Sequence, residues 1–259
     1  MKDPRVTKLA DLLVAHSIDL QPGDRVLVHA FDMPEDSVSQ FVEACQARGA
    51  QVMVRLESNR VKRQMMRQMS EENAKLIARA ELAEMKEVNA YLALRGTENS
   101  AEMKGIDPET LSMWQREYAV PVVFETRVPN TKWVVLRWPL PSMAQQAEMC
   151  TDEFEDFFFK VCTMDYSKMA KAAEPLKELM DRTDRVEIKG PGTDLTFSIK
   201  DIGSVPCVGH RNIPDGECFS CPVKDSVEGV IQYNTVSLYQ GIEFKNIRYE
   251  VEKGKIVDA

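Results

Sequence analysis

The first half of the chain alternates short apolar runs with longer segments of helical periodicity. The apolar runs have the length of strands and lie at residues 25–31, 51–56, 90–94, 120–124 and 133–136. A helix that ends at Gly49 follows the first run, and a long charged helix, at about 59–86, follows the second. Nearly continuous apolar strands separated by helices are typical of a parallel sheet covered on both faces. The pattern therefore predicts an α/β domain with a doubly wound, mostly parallel sheet.

The pattern changes after Thr183. Two helices are predicted between Asp152 and Arg182, and Pro175 is able to kink or divide the second. Beyond them, strand-like runs joined by turns that contain glycine lie at 185–189, 195–199, 229–234, 243–249 and in the terminal segment to Val257. We therefore place an α/β domain with trailing helices at residues 1–182. Residues 183–259 are predicted to be the β-rich, partly antiparallel start of a second domain.

Open parallel sheets bind ligands at the carboxyl ends of their strands. Here the residues after the first and third runs, from Asp32 and Arg95 onward, contain no glycine-rich phosphate loop. Gly190 and Gly192 do not provide one either, because a strand-like run rather than a helix follows them. We therefore expect no dinucleotide cofactor.

The charge balance narrows the range of partners. The 259 residues include 33 basic and 41 acidic side chains, a formal net charge of −8, which repels nucleic-acid phosphates and anionic lipid. No apolar stretch is long enough to cross a bilayer, and charges such as Lys2 and Arg5 interrupt any apolar signal segment near the N-terminus. We expect a cytoplasmic protein with reduced cysteines and with neither a nucleic-acid nor a membrane partner.

Histidine is scarce, which limits the chemistry available to this chain. His16 lies near the end of an N-terminal helix and His29 lies inside an apolar strand, so both are predicted to be structural. Glu217 follows an Asn-Ile-Pro-Asp-Gly turn and begins a short strand. Its carboxylate is a hard ligand suited to a divalent metal in a hydrolytic site. From the residue pattern alone, an ordinary surface glutamate remains the alternative.

A structural zinc site is a competing hypothesis for the same stretch. Cys207, His210, Cys218 and Cys221 have the spacing C-x2-H-x7-C-x2-C, and these residue types can bind zinc tetrahedrally. The loop between the two pairs is short, however, and strand alternation would send Cys218 and Cys221 to opposite faces. Buried strand thiols are the alternative to zinc ligands.

Several motifs resemble one known family. The stretch from Asn212, NIPDGECFSCPVKDSVEGVI, resembles the signature of the aminopeptidase T and aminopeptidase S family of metallopeptidases. RWPLPSMAQ from Arg137, FEDFFF from Phe154, GPGTDL from Gly190 and GKIV from Gly254 resemble its bacterial leucyl aminopeptidase branch. The resemblance implies an enzyme that releases N-terminal residues, of the leucine type, from peptides by means of two divalent ions, zinc, cobalt or manganese. It also implies a homodimer and makes Glu217 a metal ligand.

The remaining metal-site residues of that family lie downstream of the GKIV-like segment. We therefore expect the catalytic residues beyond Ala259, and we expect this chain, as an incomplete metal-binding domain, to turn over little substrate by itself. The alternative is a non-catalytic relative that acts as a folding or interaction module. That alternative predicts exposed sheet edges and exposed apolar surface near residues 229–257.

Overall fold

The computed structural model describes residues 2–239 and 242–259, and the chain divides into two compact units. The first unit comprises Met1–Met164 and Gly209–Asp215, and the second comprises Asp165–Val208 and Gly216–Ala259. The last predicted helix before residue 182 belongs to the second unit. A short segment after Val208 returns to the first unit, so the division does not fall at a single position in the sequence.

The strands and helices follow one another along the whole chain. The strands are β1 (Arg25–Phe31), β2 (Gln51–Glu57), β3 (Ala90–Arg95), β4 (Lys132–Arg137), β5 (Arg185–Gly190), β6 (Thr193–Ser198), β7 (Val205–Cys207), β8 (Asn212–Ile213), β9 (Glu217–Phe219), β10 (Glu228–Gln232), β11 (Ser237–Tyr239), β12 (Ile242–Phe244), β13 (Arg248–Glu252) and β14 (Lys255–Asp258). The α-helices are α1 (Pro4–Leu12), α2 (Glu35–Ala47), α3 (Asn59–Met66), α4 (Glu71–Glu87), α5 (Pro108–Trp114), α6 (Val128–Asn130), α7 (Pro141–Gln146), α8 (Thr151–Cys162) and α9 (Tyr166–Asp181). The π-helical segments Leu13–Ser17 and Gln115–Arg127 continue α1 and α5, and a 3-10 turn spans Lys224–Ser226.

The first unit is built on a parallel sheet with the strand order β2-β1-β3-β4-β8. Six of the seven residues of β1 and five of the six of β3 are buried. Because successive side chains of a strand point to opposite faces, this burial means that both faces of the sheet centre are covered. The predicted doubly wound α/β domain is therefore confirmed.

The second unit is built on an antiparallel sheet with the strand order β14-β13-β10-β6-β5. Leu195 of β6 and Ile199, directly after β6, are buried, whereas the edge strand β14 is exposed along its whole length. Phe244, Ile256 and Val257 are exposed large apolar side chains of this unit. The antiparallel arrangement agrees with the β-rich prediction, and the apolar surface expected near residues 229–257 is present.

Three predicted elements differ from the structure. The run at 120–124 lies in the π-helical segment Gln115–Arg127 instead of a strand, with Val122 packed against α4 and Phe124 exposed. The charged helix predicted at 59–86 is two helices, because Ser70 starts α4 by accepting a hydrogen bond from the Asn73 amide. The strand predicted at 243–249 is divided between β12 and β13 by Asn246, whose φ of 54° interrupts an extended strand.

Within the described residues, no helix combines the length and the apolar character needed to cross a membrane.

Candidate functional site

Glu217 is the first residue of β9 and lies opposite Cys207 in the antiparallel pair that β9 forms with β7. Its side chain is exposed. This exposure does not distinguish a metal ligand open to substrate from an ordinary surface glutamate. Gly216, just before it, has a φ of 140°, and a Cβ there would lie 3.3 Å from the Met169 side chain. A glycine at this position therefore allows the chain to turn into the strand that presents Glu217.

The described residues do not by themselves fit a metal centre. Across residues 2–239 and 242–259, no three or more histidine, cysteine, aspartate or glutamate side chains are grouped so that they could hold one metal ion. A dinuclear site needs several such donors around each ion. Glu217 thus stands as a single carboxylate, and no catalytic step through a metal is assigned to it.

The four residues of the alternative zinc hypothesis are among those described and form no metal-binding group. His210 belongs to the first unit, where its ring stacks on that of His16 with the centroids 4.7 Å apart. Cys207 and Cys218 are half-buried on the paired strands β7 and β9, and the Cys218 thiol donates a weak hydrogen bond to the Ala173 carbonyl oxygen. These environments agree with ordinary thiols that pack within the strand pair.

A buried polar network lies at the carboxyl ends of the parallel strands, and it centres on His29. Arg95 donates to the Tyr91 hydroxyl oxygen at 3.2 Å, and that hydroxyl lies 2.7 Å from His29 Nδ1. The ionised Glu57 carboxylate can only accept, so the proton of a neutral His29 is on Nε2 and Nδ1 accepts from Tyr91. His29 Nε2 then donates to Glu57 Oε1 at 2.9 Å. Burial lowers the pKa of His29 by more than the hydrogen bond to Glu57 raises it. His29 is therefore a neutral imidazole that links β1 to both neighbouring strands, which agrees with its predicted structural role.

Glu57 carries a negative charge at the end of β2. Burial raises its pKa, but the hydrogen bond from His29 and the charges of Lys62 and Arg55 together outweigh burial and lower the pKa. Arg55 is held in turn by Glu81, whose carboxylate oxygen lies 2.7 Å from the guanidinium. The half-buried Glu57 and its basic neighbours thus stabilise one another's charges.

Lys62 completes the network from helix α3. Its Nζ lies 3.9 Å from Glu57 Oε2 and 5.3–6.0 Å from the ring centroids of Phe31, Trp114 and Tyr118. Burial is the largest influence on this amine and lowers its pKa. The aromatic faces attract the ammonium by cation–π interaction, which offsets part of the cost of its burial.

A cavity of about 630 Å³ opens beside this network, at the carboxyl ends of β1 and β2. Its walls include the apolar side chains of Met33, Val61 and Trp114 together with Lys62 and several acids. The acidic members are Asp32, Glu35, Glu57 and Glu81. Parallel sheets bind ligands at this edge, and the excess of acids over bases disfavours phosphates.

Sequence reasoning searched this edge of the sheet for a glycine-rich loop and missed the charged network. The signal available was the placement of His29, Glu57 and Arg95 near the ends of three neighbouring strands. Their contacts depend on the register, which sets Phe31 beside both Glu57 and Arg95. Nothing in a single sequence fixes that register before the strand order is known.

A parallel α/β unit, together with an antiparallel unit that presents Glu217 directly after the NIPDG turn, is consistent with the metallopeptidase class. Residues 2–259 match the family described as thermophilic metalloprotease (M29), and the chain belongs to that family. The predicted membership of a metallopeptidase family is therefore confirmed.

Relatives of this chain include aminopeptidases. The sequence is 24% identical to aminopeptidase AmpS of Bacillus subtilis (strain 168) over 290 residues, which cover 98% of this chain and 70% of that protein. The fold resembles that of AmpT from Thermus thermophilus, with a TM-score of 0.79 and 21% identity over 98% of this chain and 70% of that one. A 2,5-dihydroxypyridine dioxygenase from Pseudomonas putida KT2440 shares the fold more distantly, with a TM-score of 0.53 and 13% identity over 100% and 68% of the two chains.

Proposed function

We propose that this protein is a metal-dependent aminopeptidase that releases leucine-type residues from the N-termini of peptides. The observation that carries the proposal is the M29 metalloprotease match, which extends over residues 2–259. The similarity to AmpS, which covers nearly the whole of this chain, supports the aminopeptidase type of activity. Preference for leucine is the finer part of the proposal, and it comes from the resemblance of the RWPLPSMAQ and FEDFFF motifs to the leucyl branch.

For the cofactor, we propose two divalent ions, zinc, cobalt or manganese, with Glu217 as a ligand of one. In hydrolases of this kind, bound divalent ions supply the activated water. Glu217 is the single ligand that we assign, since the described residues do not fit a complete centre. Its position directly after the family-like turn supports this assignment.

We propose that the protein binds small peptides as substrates and forms a homodimer with a second copy of the chain. We also propose that it is located in the cytoplasm. The net charge of −8 supports the absence of nucleic-acid and membrane partners, because it repels phosphate groups. Peptides have no such uniform negative charge.

The proposal is tested by the hydrolysis of leucine p-nitroanilide by the purified protein with added cobalt, zinc or manganese. Turnover by this chain should be slow, because its described residues hold no complete metal site, and it should need the metal and disappear with a chelator. The N-acetylated substrate should not be hydrolysed, since an aminopeptidase needs a free amine. The Glu217→Gln variant should lower metal-dependent turnover by at least about 100-fold, because even outer-shell groups of metal sites contribute roughly 10–100-fold.

The matched control is Glu252→Gln, which neutralises another exposed glutamate at a strand end of the second unit. This variant should keep the parent activity. Turnover that survives in Glu217→Gln would contradict the role of Glu217. Equal hydrolysis of the acetylated substrate would contradict the aminopeptidase proposal.

A second candidate function, an interaction module without catalysis, is favoured by one observation. The antiparallel sheet of the second unit exposes Ile256 and Val257 on its edge strand, and such apolar edges are typical of surfaces that pair with other chains. Binding of a protein other than a second copy of this chain through that strand, without any metal-dependent turnover, would favour this function over the enzyme.

A further inference from the structure

A second cavity of the first unit lies where three motifs of the sequence meet. It has a volume of about 410 Å³, within the range of small-molecule pockets. RWPLPSMAQ contributes Arg137 and Met143, FEDFFF contributes three of its phenylalanines, and the NIPDGE segment contributes Asn212 through Pro214. These segments are separated in sequence by up to about 75 residues, but they form a single pocket at the carboxyl ends of β4 and β8.

The walls of this pocket are mainly apolar. Phe154, Phe157 and Phe158 of helix α8 line it together with aliphatic side chains such as Val135 and Ile213. Phe157 is 54% exposed even though it is a large aromatic side chain, so the pocket is open to a ligand. A ligand with an aliphatic or aromatic group would cover this surface and gain the free energy of apolar burial.

Arg137 is the charged member of the lining. The guanidinium has no ion pair or hydrogen bond to any of the described residues, and no acid shares the pocket wall with it. Cys162, the other ionisable residue there, stays neutral because burial raises the pKa of its thiol to about 12. An unpaired guanidinium beside an apolar surface is electrostatically complementary to a carboxylate, which it binds with two parallel hydrogen bonds.

We propose that this pocket binds an apolar monocarboxylate, with the carboxylate on Arg137 and the apolar group against the phenylalanines of α8. Two sources share this chemistry: a free aliphatic or aromatic acid, and the C-terminal carboxylate of a short apolar peptide. Glu217, the metal ligand that we assign, is not among the residues that line the pocket, and the proposal does not depend on peptidase activity.

The test measures binding by calorimetry or by saturation-transfer NMR, without added metal. Each acid is compared with the amide of the same shape: hexanoate with hexanamide, and N-acetyl-alanyl-leucine with its C-terminal amide. The acetyl group prevents aminopeptidase cleavage, so a failure of the proposed function leaves this measurement unaffected. We expect at least one acid to bind about tenfold more tightly than its amide. The acid that shows this preference identifies the source.

The Arg137→Met variant should abolish the preference for the acid, and Arg137→Lys should retain only part of it, because lysine keeps the charge but lacks the fork of donors. Arg79→Met is the matched control, since Arg79 is an exposed arginine of the same unit on helix α4, outside the pocket. It should bind both acids like the parent protein. Phe157→Ala should weaken acids and amides alike, because it removes apolar surface.

Equal binding of acids and amides, or an unchanged preference in Arg137→Met, would overturn the proposal. The salt dependence of the parent protein provides a measurement that does not rely on any variant. Affinity for the acid should fall as sodium chloride is added, while affinity for the amide should stay constant. A salt-independent affinity for the acid would also overturn the assignment to Arg137.

Discussion

At the scale of single residues, His29 shows how a buried ionisable group can couple stability to pH. The folded protein holds it as a neutral imidazole between Tyr91 and Glu57, and burial lowers its pKa below the ordinary value of 6.5. An unfolded chain has no such restraint, so its histidine takes up a proton at about pH 6.5. Below that pH the unfolded state binds more protons, and stability must fall as the pH decreases.

We therefore predict that the urea midpoint of the parent protein decreases between pH 7.5 and pH 5.5. Glu57 does not contribute in this window, because its lowered pKa keeps it ionised there in the folded state. The variant His29→Gln should have a free energy of unfolding lower by about 1–3 kcal/mol at pH 7.5, because the hydrogen bonds of His29 to Tyr91 and Glu57 are lost. Its midpoint should change less with pH than that of the parent.

The control for this measurement is His210→Gln, which removes an imidazole from the stacked pair with His16 and leaves the buried network intact. It should retain the pH response that comes from His29. A His29→Gln variant with a pH response as steep as that of the parent would contradict the assignment.

Gly96 makes a second prediction at this scale. A Cβ at this position would lie 2.6 Å from the Asp32 carbonyl oxygen and 2.7 Å from that of Phe31, which are backbone atoms that cannot rotate away. We expect Gly96→Ala to destabilise the protein by about 1–3 kcal/mol through overpacking. Gly190→Ala is the control, because a Cβ there meets nothing within 4 Å. Equal thermal midpoints for the two variants would contradict the steric argument.

At the scale of elements, the pattern of apolar residues predicted the parallel strands because those strands are buried on both faces. The runs that form β1 and β3 consist almost entirely of apolar residues. Such runs are typical of strands in a parallel sheet that is covered on both faces. The run at 120–124 is equally apolar, but it belongs to a helical segment that packs against α4. Val122 is its one buried residue. Short apolar runs do not by themselves distinguish a strand from one side of a helix.

The break between α3 and α4 shows what a cap contributes. Ser70 Oγ accepts a hydrogen bond from the Asn73 amide at 3.1 Å, whereas Ser58 precedes α3 without a side-chain cap. We predict that Ser70→Ala lowers the free energy of unfolding by about 1 kcal/mol and that Ser70→Asp restores it. Ser58→Ala should have a smaller effect. Chemical denaturation of the three variants checks the ranking, and an equal loss for both alanine variants would contradict it.

The candidate site was predictable only in part. Glu217 stays a prediction, which the contiguous motif before it made possible, and the structure places this residue at the start of β9. The pockets were not predictable, because each brings together residues from separate elements. Arg137 and Phe157 meet only after β4 is paired with β8 and helix α8 is packed beside them, which are consequences of the whole fold.

At the scale of the whole molecule, the fold alone does not determine the chemistry. The same arrangement is shared with an aminopeptidase at a TM-score of 0.79 and with a dioxygenase at 0.53. Folds host different reactions according to the residues placed on them. The peptidase assignment therefore depends on the family match along the sequence, and the site residues have to be tested one by one.

The sheet of the second unit leads to the last prediction, which concerns assembly. Ile256 and Val257 of β14 are 60% and 53% exposed, and because neighbouring strand residues point to opposite faces, both faces of this edge strand are uncovered. A homodimer that pairs through β14 would satisfy its backbone groups and cover these side chains. Sedimentation should give twice the chain mass of 29.4 kDa.

Ile256→Lys should give the monomer, whereas Ile188→Lys on the opposite edge strand β5 should leave the dimer intact. A parent protein that is monomeric at all concentrations would contradict the prediction.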